Sequence, residues 1–201
     1  MHLAVFAPAF TFSLCESECS RKPQMRIASV VSGYCRKKRK TNIHLKTTDN
    51  MKVIGFNFTK NDFRFCVLDG QTSPPTIIEK NKIGYPNNMD ISDLMEWFET
   101  QLSLIIDKHK PNQISHKISL NLKTLDQIKN SCYPQAILNL IAKKKNIPIN
   151  NYSSQAINAT KFGQPKKTDV CTYIDSIIGI HPPYWDKPTK EAVLVAWFSL
   201  L

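Results

Sequence analysis

Lys52–Asp69, KVIGFNFTKNDFRFCVLD, is the stretch on which the reading of the fold turns. KVIGFNF is apolar and β-branched, and FRFCVLD alternates from Phe63 to Asp69, so both segments read as strands. Asn61-Asp62 between them tolerates the positive φ that a short hairpin loop demands. Thr76 to Ile83 follows the turn signals Asp69-Gly70 and Ser73-Pro74-Pro75 and makes a third strand. Together the three predict an antiparallel meander.

Towards the C-terminus the period changes. Leu94, Trp97, Phe98, Leu102, Ile105 and Ile106 fall at helical spacing, with Asp90 and Asp93 at the N-cap and N3 positions and Pro111 as the stop. Gln113 to Leu122 (QISHKISLNL) returns to alternation, with Ile114, Ile118, Leu120 and Leu122 on one face of a fourth strand. A helical stretch then runs from Thr124 to Lys145, where Pro134 is either its kink or the first position of a new segment. Ile147 to Tyr152 reads as a short fifth strand, followed by a basic loop around Lys161 to Lys167 and a helix near Asp169 to Ile178. Pro188 opens the last helix, in which Ala192, Val193, Val195, Ala196 and Leu200 can pack on a sheet. The order β-β-β-α-β-α-β-α-α predicts an α/β domain with a mixed sheet of five strands.

Residues 1–50 read differently. They hold Cys15, Cys19 and Cys35, the run Arg36-Lys37-Lys38-Arg39-Lys40, and nine Lys and Arg against three Asp and Glu. More than half of the net charge of +11 therefore sits in a quarter of the 201-residue chain. Leu3 to Leu14 is apolar, but it lacks a basic lead-in, is interrupted by Pro8 and has no good small-residue cleavage site, which argues against an export signal. Cys15, Cys19, Cys35 and His44 match no common zinc spacing, and the basic run is too short to single out a nucleic-acid arm or a nuclear address. The segment reads as an unstructured extension, or as sequence ahead of a true initiator at Met51, which leaves 51–201 as the domain. There Cys66, Cys132 and Cys171, odd in number and widely spaced, argue against a disulfide framework and for a reducing, cytoplasmic setting. No window approaches the roughly 18 uninterrupted apolar residues of a membrane-spanning helix.

Four stretches, taken with the order of elements, resemble the ribonuclease H-like superfamily in its Holliday-junction-resolvase (RuvC-like) branch, and small resolvase-like bacterial proteins within it. They are Val53-Ile54-Gly55-Phe56-Asn57 with Val67-Leu68-Asp69; Ala136 to Lys143 leading to Asn146-Ile147-Pro148-Ile149 and Tyr152-Ser153-Ser154; Lys166-Lys167 before a helix; and Glu191-Ala192-Val193-Leu194-Val195-Ala196. The resemblance implies a metal-dependent nuclease centre in which carboxylates hold two magnesium or manganese ions across an in-line phosphoryl displacement. It also implies a dimer. The family's first aspartate is Asn57 here, an amide that can coordinate but brings no charge. Its second carboxylate falls in Ser115 to Asn121, where there is no acid and Lys117 would repel a cation. Glu191 aligns with a third acid, and Asp186 stands five positions earlier. Asp69 or Glu79 would substitute only under a different register, and His116 would suit a softer ion. Glu191 also reads as a carboxylate favoured by a helix dipole, and Asp186 as that helix's cap.

Lys143, Lys144 and Lys145 end a helix, where cations complement the dipole. With Lys161, Lys166, Lys167, Lys187 and Lys190 they otherwise read as a groove for phosphates, at the sheet end where ligands commonly bind. Tyr152, Phe162, Tyr184 and Trp185 would offer stacking faces or pack in the core. His181-Pro182-Pro183-Tyr184-Trp185-Asp186 reads as a stiff docking loop or as a rigid lid. There is no Gly-rich phosphate loop, Gly-x-Ser-x-Gly, His-Glu-x-x-His or Cys-x-x-Cys. The sequence thus predicts a resolvase-like nucleic-acid binder with a degenerate, weak or inactive centre at Asn57, Asp186 and Glu191, the latter two being its metal ligands. The alternatives are a protein-interaction module on the same fold and an active nuclease with rearranged ligands.

Overall fold

The computed structural model describes residues 51–71, 73–119 and 122–201. The readings made on residues 1–50, including the basic run and the cysteines, lie outside the described residues. Five strands form one sheet: β1 (Lys52–Phe58), β2 (Asp62–Asp69), β3 (Thr76–Gly84), β4 (Gln113–Ile118) and β5 (Ile149–Ser153). Their spatial order is β3-β2-β1-β4-β5. The pairs β1·β2 and β2·β3 are antiparallel, and β1·β4 and β4·β5 are parallel. The expected mixed α/β sheet is present, with β1 at its centre.

Helices cover both faces, which is why β1 and β2 are apolar almost throughout. Phe56, Phe58, Phe63 and Phe65 pack against α1 (Ile91–His109) and α2 (Leu125–Lys144). On the other face Val53, Cys66 and Leu68 pack against α4 (Lys187–Phe198). α4 is buried from Ala192 to Trp197 because its outer side is covered as well. Phe162, in a 3-10 turn at Ala159–Phe162, meets Trp197 at a centroid distance of 5.1 Å. Tyr173, in α3 (Val170–Ile177), stacks on the same indole at 6.0 Å.

Local chemistry accounts for the boundaries. Thr59 N–H donates to the Asp62 carbonyl at 2.9 Å, so the hairpin loop closes before Asp62 and that residue belongs to β2 rather than to the turn. Asp90 holds the N-cap position of α1 but makes no side-chain cap bond, so the expected carboxylate cap is positional only. Thr124 and Gln127 form a full capping box on α2. Pro134 neither breaks nor restarts that helix. The Asn130 carbonyl, which the missing proline N–H leaves without its helical donor, accepts the Tyr85 hydroxyl at 3.0 Å instead. β4 ends at Ile118, short of the predicted Leu122, and β5 begins at Ile149 rather than Ile147.

Candidate functional site

Strand parity decides which side chains face α4. Asn57 lies two residues from Gly55, and in the sheet register Asn57 is opposite Arg64 while Gly55 is opposite Ser115. Arg64 on β2 and Lys117 on β4 therefore flank Asn57 on the α4 face. A Cβ on Gly55 would stand 2.0 Å from the Ala192 carbonyl oxygen, so only glycine lets α4 lie this close to β1. That approach brings the first turns of α4 over Asn57.

The two carboxylates of this turn have donors on all four oxygens. Glu191 Oε1 accepts from Lys117 Nζ at 2.7 Å, and Oε2 accepts from Asn57 Nδ2 at 2.9 Å. Asn57 gives its second N–H to the Pro188 carbonyl at 3.0 Å, so the nitrogen end of the amide faces the helix. Asp186 is the N-cap of α4 and accepts from Thr189 N and Oγ1 at 3.2 and 2.8 Å through Oδ1. Its Oδ2 accepts from Arg64 Nη2 at 2.7 Å. Burial pushes the Asp186 carboxyl up, but the Thr189 hydrogen bonds and the Arg64 guanidinium outweigh it and hold the group below the usual carboxylate range. Arg64 is buried, and its Nε, 3.5 Å from Asp62 Oδ1, and Nη1 make no hydrogen bond among the described residues.

The two-ion centre implied by the resemblance does not fit this donor set. Where an ion would need anionic oxygen, the strands present an ammonium and an amide N–H, and Lys117 has taken the charge of Glu191. No group of three or more His, Cys, Asp and Glu side chains that could hold a metal ion exists among the described residues. The substitutes do not converge either. Asp69 is at the far end of β2, paired in register with Lys52 and Thr76. Glu79 meets Lys108 at 2.6 Å and His109 at 3.4 Å. His116 is buried on the opposite face, 3.5 Å from Asn139 Nδ2, and burial lowers its basicity.

The eight lysines do not share one groove. Lys143, Lys144 and Lys145 end α2 beside the start of β5, the opposite end of the sheet from Asn57, and Lys144 and Lys145 pair with Glu99 and Asp107 of α1 at 3.1 and 2.6 Å. That corrects their placement at the ligand-binding end: a helix between two parallel strands returns the chain to the end of the sheet where the next strand begins. Lys190 pairs with Asp175 at 2.5 Å and lies 5.9 Å from the Trp185 ring centroid. Lys161, Lys166, Lys167 and Lys187 are exposed and form no salt bridge among the described residues. Lys161 adjoins Phe162, which packs on Trp197 and Phe198 in the far half of α4. Of the four aromatics, Tyr152 is edge-on to Phe198 and Phe162 is buried, while Trp185 donates to Asp175 at 2.7 Å. Tyr184, 53% exposed and at φ 58°, keeps an open face.

Two cavities adjoin the centre and share Lys117 and Ser154. The larger, about 390 Å³, opens where β1 and β4 end, and the smaller, about 190 Å³, lies between Glu191, Lys187 and Asp169. Sequence reading missed Arg64 and Lys60 and treated Lys117 only as a repulsive neighbour. The available signal was parity: Arg64 shares its strand face with Cys66 and Leu68, and a cation on a covered face requires a partner.

No protein-family model matches the chain, and no curated protein is significantly similar to it. Solved structures are. The chain is similar to Thermus thermophilus RuvC, with a TM-score of 0.62 at 10% identity over 74% of this chain and 92% of that one. The same protein in complex with Holliday junction substrate gives 0.60, at 10% identity over 74% and 91%. The yeast mitochondrial Holliday junction resolvase Ydc2 gives 0.59 at 12% identity, over 75% and 78%. The fold is ribonuclease H-like, and within that class it is RuvC-like. No helix among the described residues is long and apolar enough to cross a membrane.

Proposed function

We propose that this chain is a resolvase-like nucleic-acid-binding protein whose two-metal nuclease centre is degenerate, with Asn57, Asp186 and Glu191 as its remnant. One observation carries the reading: every oxygen of Asp186 and Glu191 accepts from Thr189, Arg64, Lys117 or Asn57. The carboxylates that would hold magnesium or manganese instead fix the last helix to the sheet. Exposed Lys166, Lys167 and Lys187 then supply salt-sensitive contacts to phosphates, and the similarity to a RuvC bound to junction DNA supports a nucleic-acid partner.

The experiment is binding and cleavage of branched, duplex and single-stranded DNA and RNA by the purified chain, with magnesium or manganese, beside a variant carrying Asp186→Ala and Glu191→Ala. Salt-sensitive binding without cleavage, weakened by charge reversal at Lys166 and Lys167, is the expected result. Metal-dependent cleavage lost in the variant overturns the degenerate centre in favour of rearranged ligands. A second reading, a protein-docking module, has its own observation. Ile180, 71% exposed, and Tyr184 stand out from the loop between α3 and α4, which Lys80 anchors by donating to the Pro183 carbonyl. Neither binding nor cleavage of nucleic acid would favour it.

A further inference from the structure

The two cavities beside the centre differ in charge. The smaller has Asp169 and Glu191 in its wall together with Lys187 and Lys117. The larger is lined by Lys60 and Lys117, by Ser119, Ser131 and Ser154, and by no Asp or Glu among its described residues, with Lys117 already paired to Glu191 at 2.7 Å. Phe58, Ile118 and Leu122 add apolar surface to the same wall. Lys117 spends one of its three N–H donors on Glu191, which leaves two. A volume of about 390 Å³ is near the lower end of ligand sites, the size of one nucleotide and too small for a duplex.

The chemistry selects the ligand within that size. A phosphomonoester carries a charge of about −1.5 to −2 at neutral pH and three strong acceptor oxygens, which suits Lys60, in no salt bridge among the described residues, with the remaining N–H donors of Lys117 and serines in the same lining. A base suits the apolar wall, because stacking and apolar contact do not depend on its identity. We propose that this cavity binds one nucleotide through its phosphomonoester, presented by a free mononucleotide or by the phosphorylated end of a strand. This deepens the nucleic-acid reading by naming a strand end as its ligand, and the mononucleotide source stands without that reading.

The test is calorimetric titration of the full chain with dAMP, deoxyadenosine and inorganic phosphate, and with a short single strand phosphorylated at either end or at neither. dAMP should bind where deoxyadenosine does not, and more tightly than phosphate. A phosphorylated end should raise strand affinity about tenfold, which is about 1.4 kcal/mol. Lys60→Glu, at an exposed position, and Ser154→Leu, which adds bulk to the lining, should each lower dAMP affinity by about the same factor. Equal binding of dAMP and phosphate overturns the nucleotide assignment, as does absence of dAMP binding without any end preference. Strand binding that ignores the end phosphate and Lys60→Glu, but falls on reversal of Lys166 and Lys167, overturns this inference and leaves the broader function standing. Binding of dAMP without strand binding supports the cavity and overturns the broader function.

Discussion

Replacing Lys117 with methionine removes the charge facing Glu191 while keeping an unbranched stem of similar length. The ammonium and carboxylate stand 2.7 Å apart with side chains 14% and 19% exposed, so the pair is largely out of water without being sealed. At an effective dielectric constant of about 20, the gross attraction at that separation is about 6 kcal/mol. Desolvation of both ions offsets most of it, and Glu191 still has the Asn57 N–H at 2.9 Å after the change. The expected loss is about 2 kcal/mol, below the roughly 3–5 kcal/mol of a fully buried pair broken on one side. Glu191→Gln should cost about 1 kcal/mol, and the double variant little more than Lys117→Met alone, a coupling of about 1 kcal/mol. Urea unfolding of the four proteins of this cycle, followed by tryptophan fluorescence at equal denaturant dependence, measures it. High salt should change the coupling little, because screening acts mainly on exposed charges. Additivity within about 0.3 kcal/mol would refute the claim that the ammonium takes up the Glu191 charge.

Three further outcomes follow from the same geometry. Asn57→Asp combined with Lys117→Ala removes the resident ammonium and adds a carboxylate beside Glu191, so manganese should raise the unfolding temperature of that variant and leave the parent unchanged; equal shifts would contradict the degenerate centre. Gly55→Ala places a Cβ against the Ala192 carbonyl and should cost at least about 2 kcal/mol in urea unfolding, because backbone has to move. His109 and His116 are held below the usual histidine range, each chiefly by burial, so the folded state binds fewer protons than the unfolded one. Stability should therefore be full above the unfolded histidine value of about 6.5 and decline as pH falls below it, and His116→Gln should flatten that decline in urea midpoints taken across the range.

How much of this was legible in the sequence varies with the kind of signal. β1 is Lys52–Phe58 as its composition predicts, because a strand covered on both faces announces itself as a continuous apolar run. Pro134 was ambiguous because its resolution depends on Tyr85, which lies forty-five residues before Asn130 and whose hydroxyl satisfies the Asn130 carbonyl that the proline leaves open. Asn57 and Glu191 were readable as candidates by resemblance, whereas their mutual contact rests on α4 docking across Gly55, which no local pattern encodes. Lys117 was seen as a cation but not as a partner, since its face is set by register with β1. Lys143 to Lys145 were misplaced for the converse reason: adjacency to a strand in sequence does not say which end of the sheet a helix terminus reaches.

The close seating of α4 also has a consequence for assembly. The strand that carries Asn57 and the helix that carries Glu191 are separated by most of the folded chain, with β2, β3, β4 and β5 made in between. Contacts of such long sequence separation form late and slow the search for the native state. Until α4 docks, Val53, Cys66 and Leu68 have no cover on that side, and Arg64 and Lys117 have lost the two carboxylates that neutralise them. The half-built sheet is then an apolar surface edged with cations that lack their α4 partners. The final helix is thus the step that both closes the core and quenches its charge, and a weakened α4 should show itself first as aggregation during refolding.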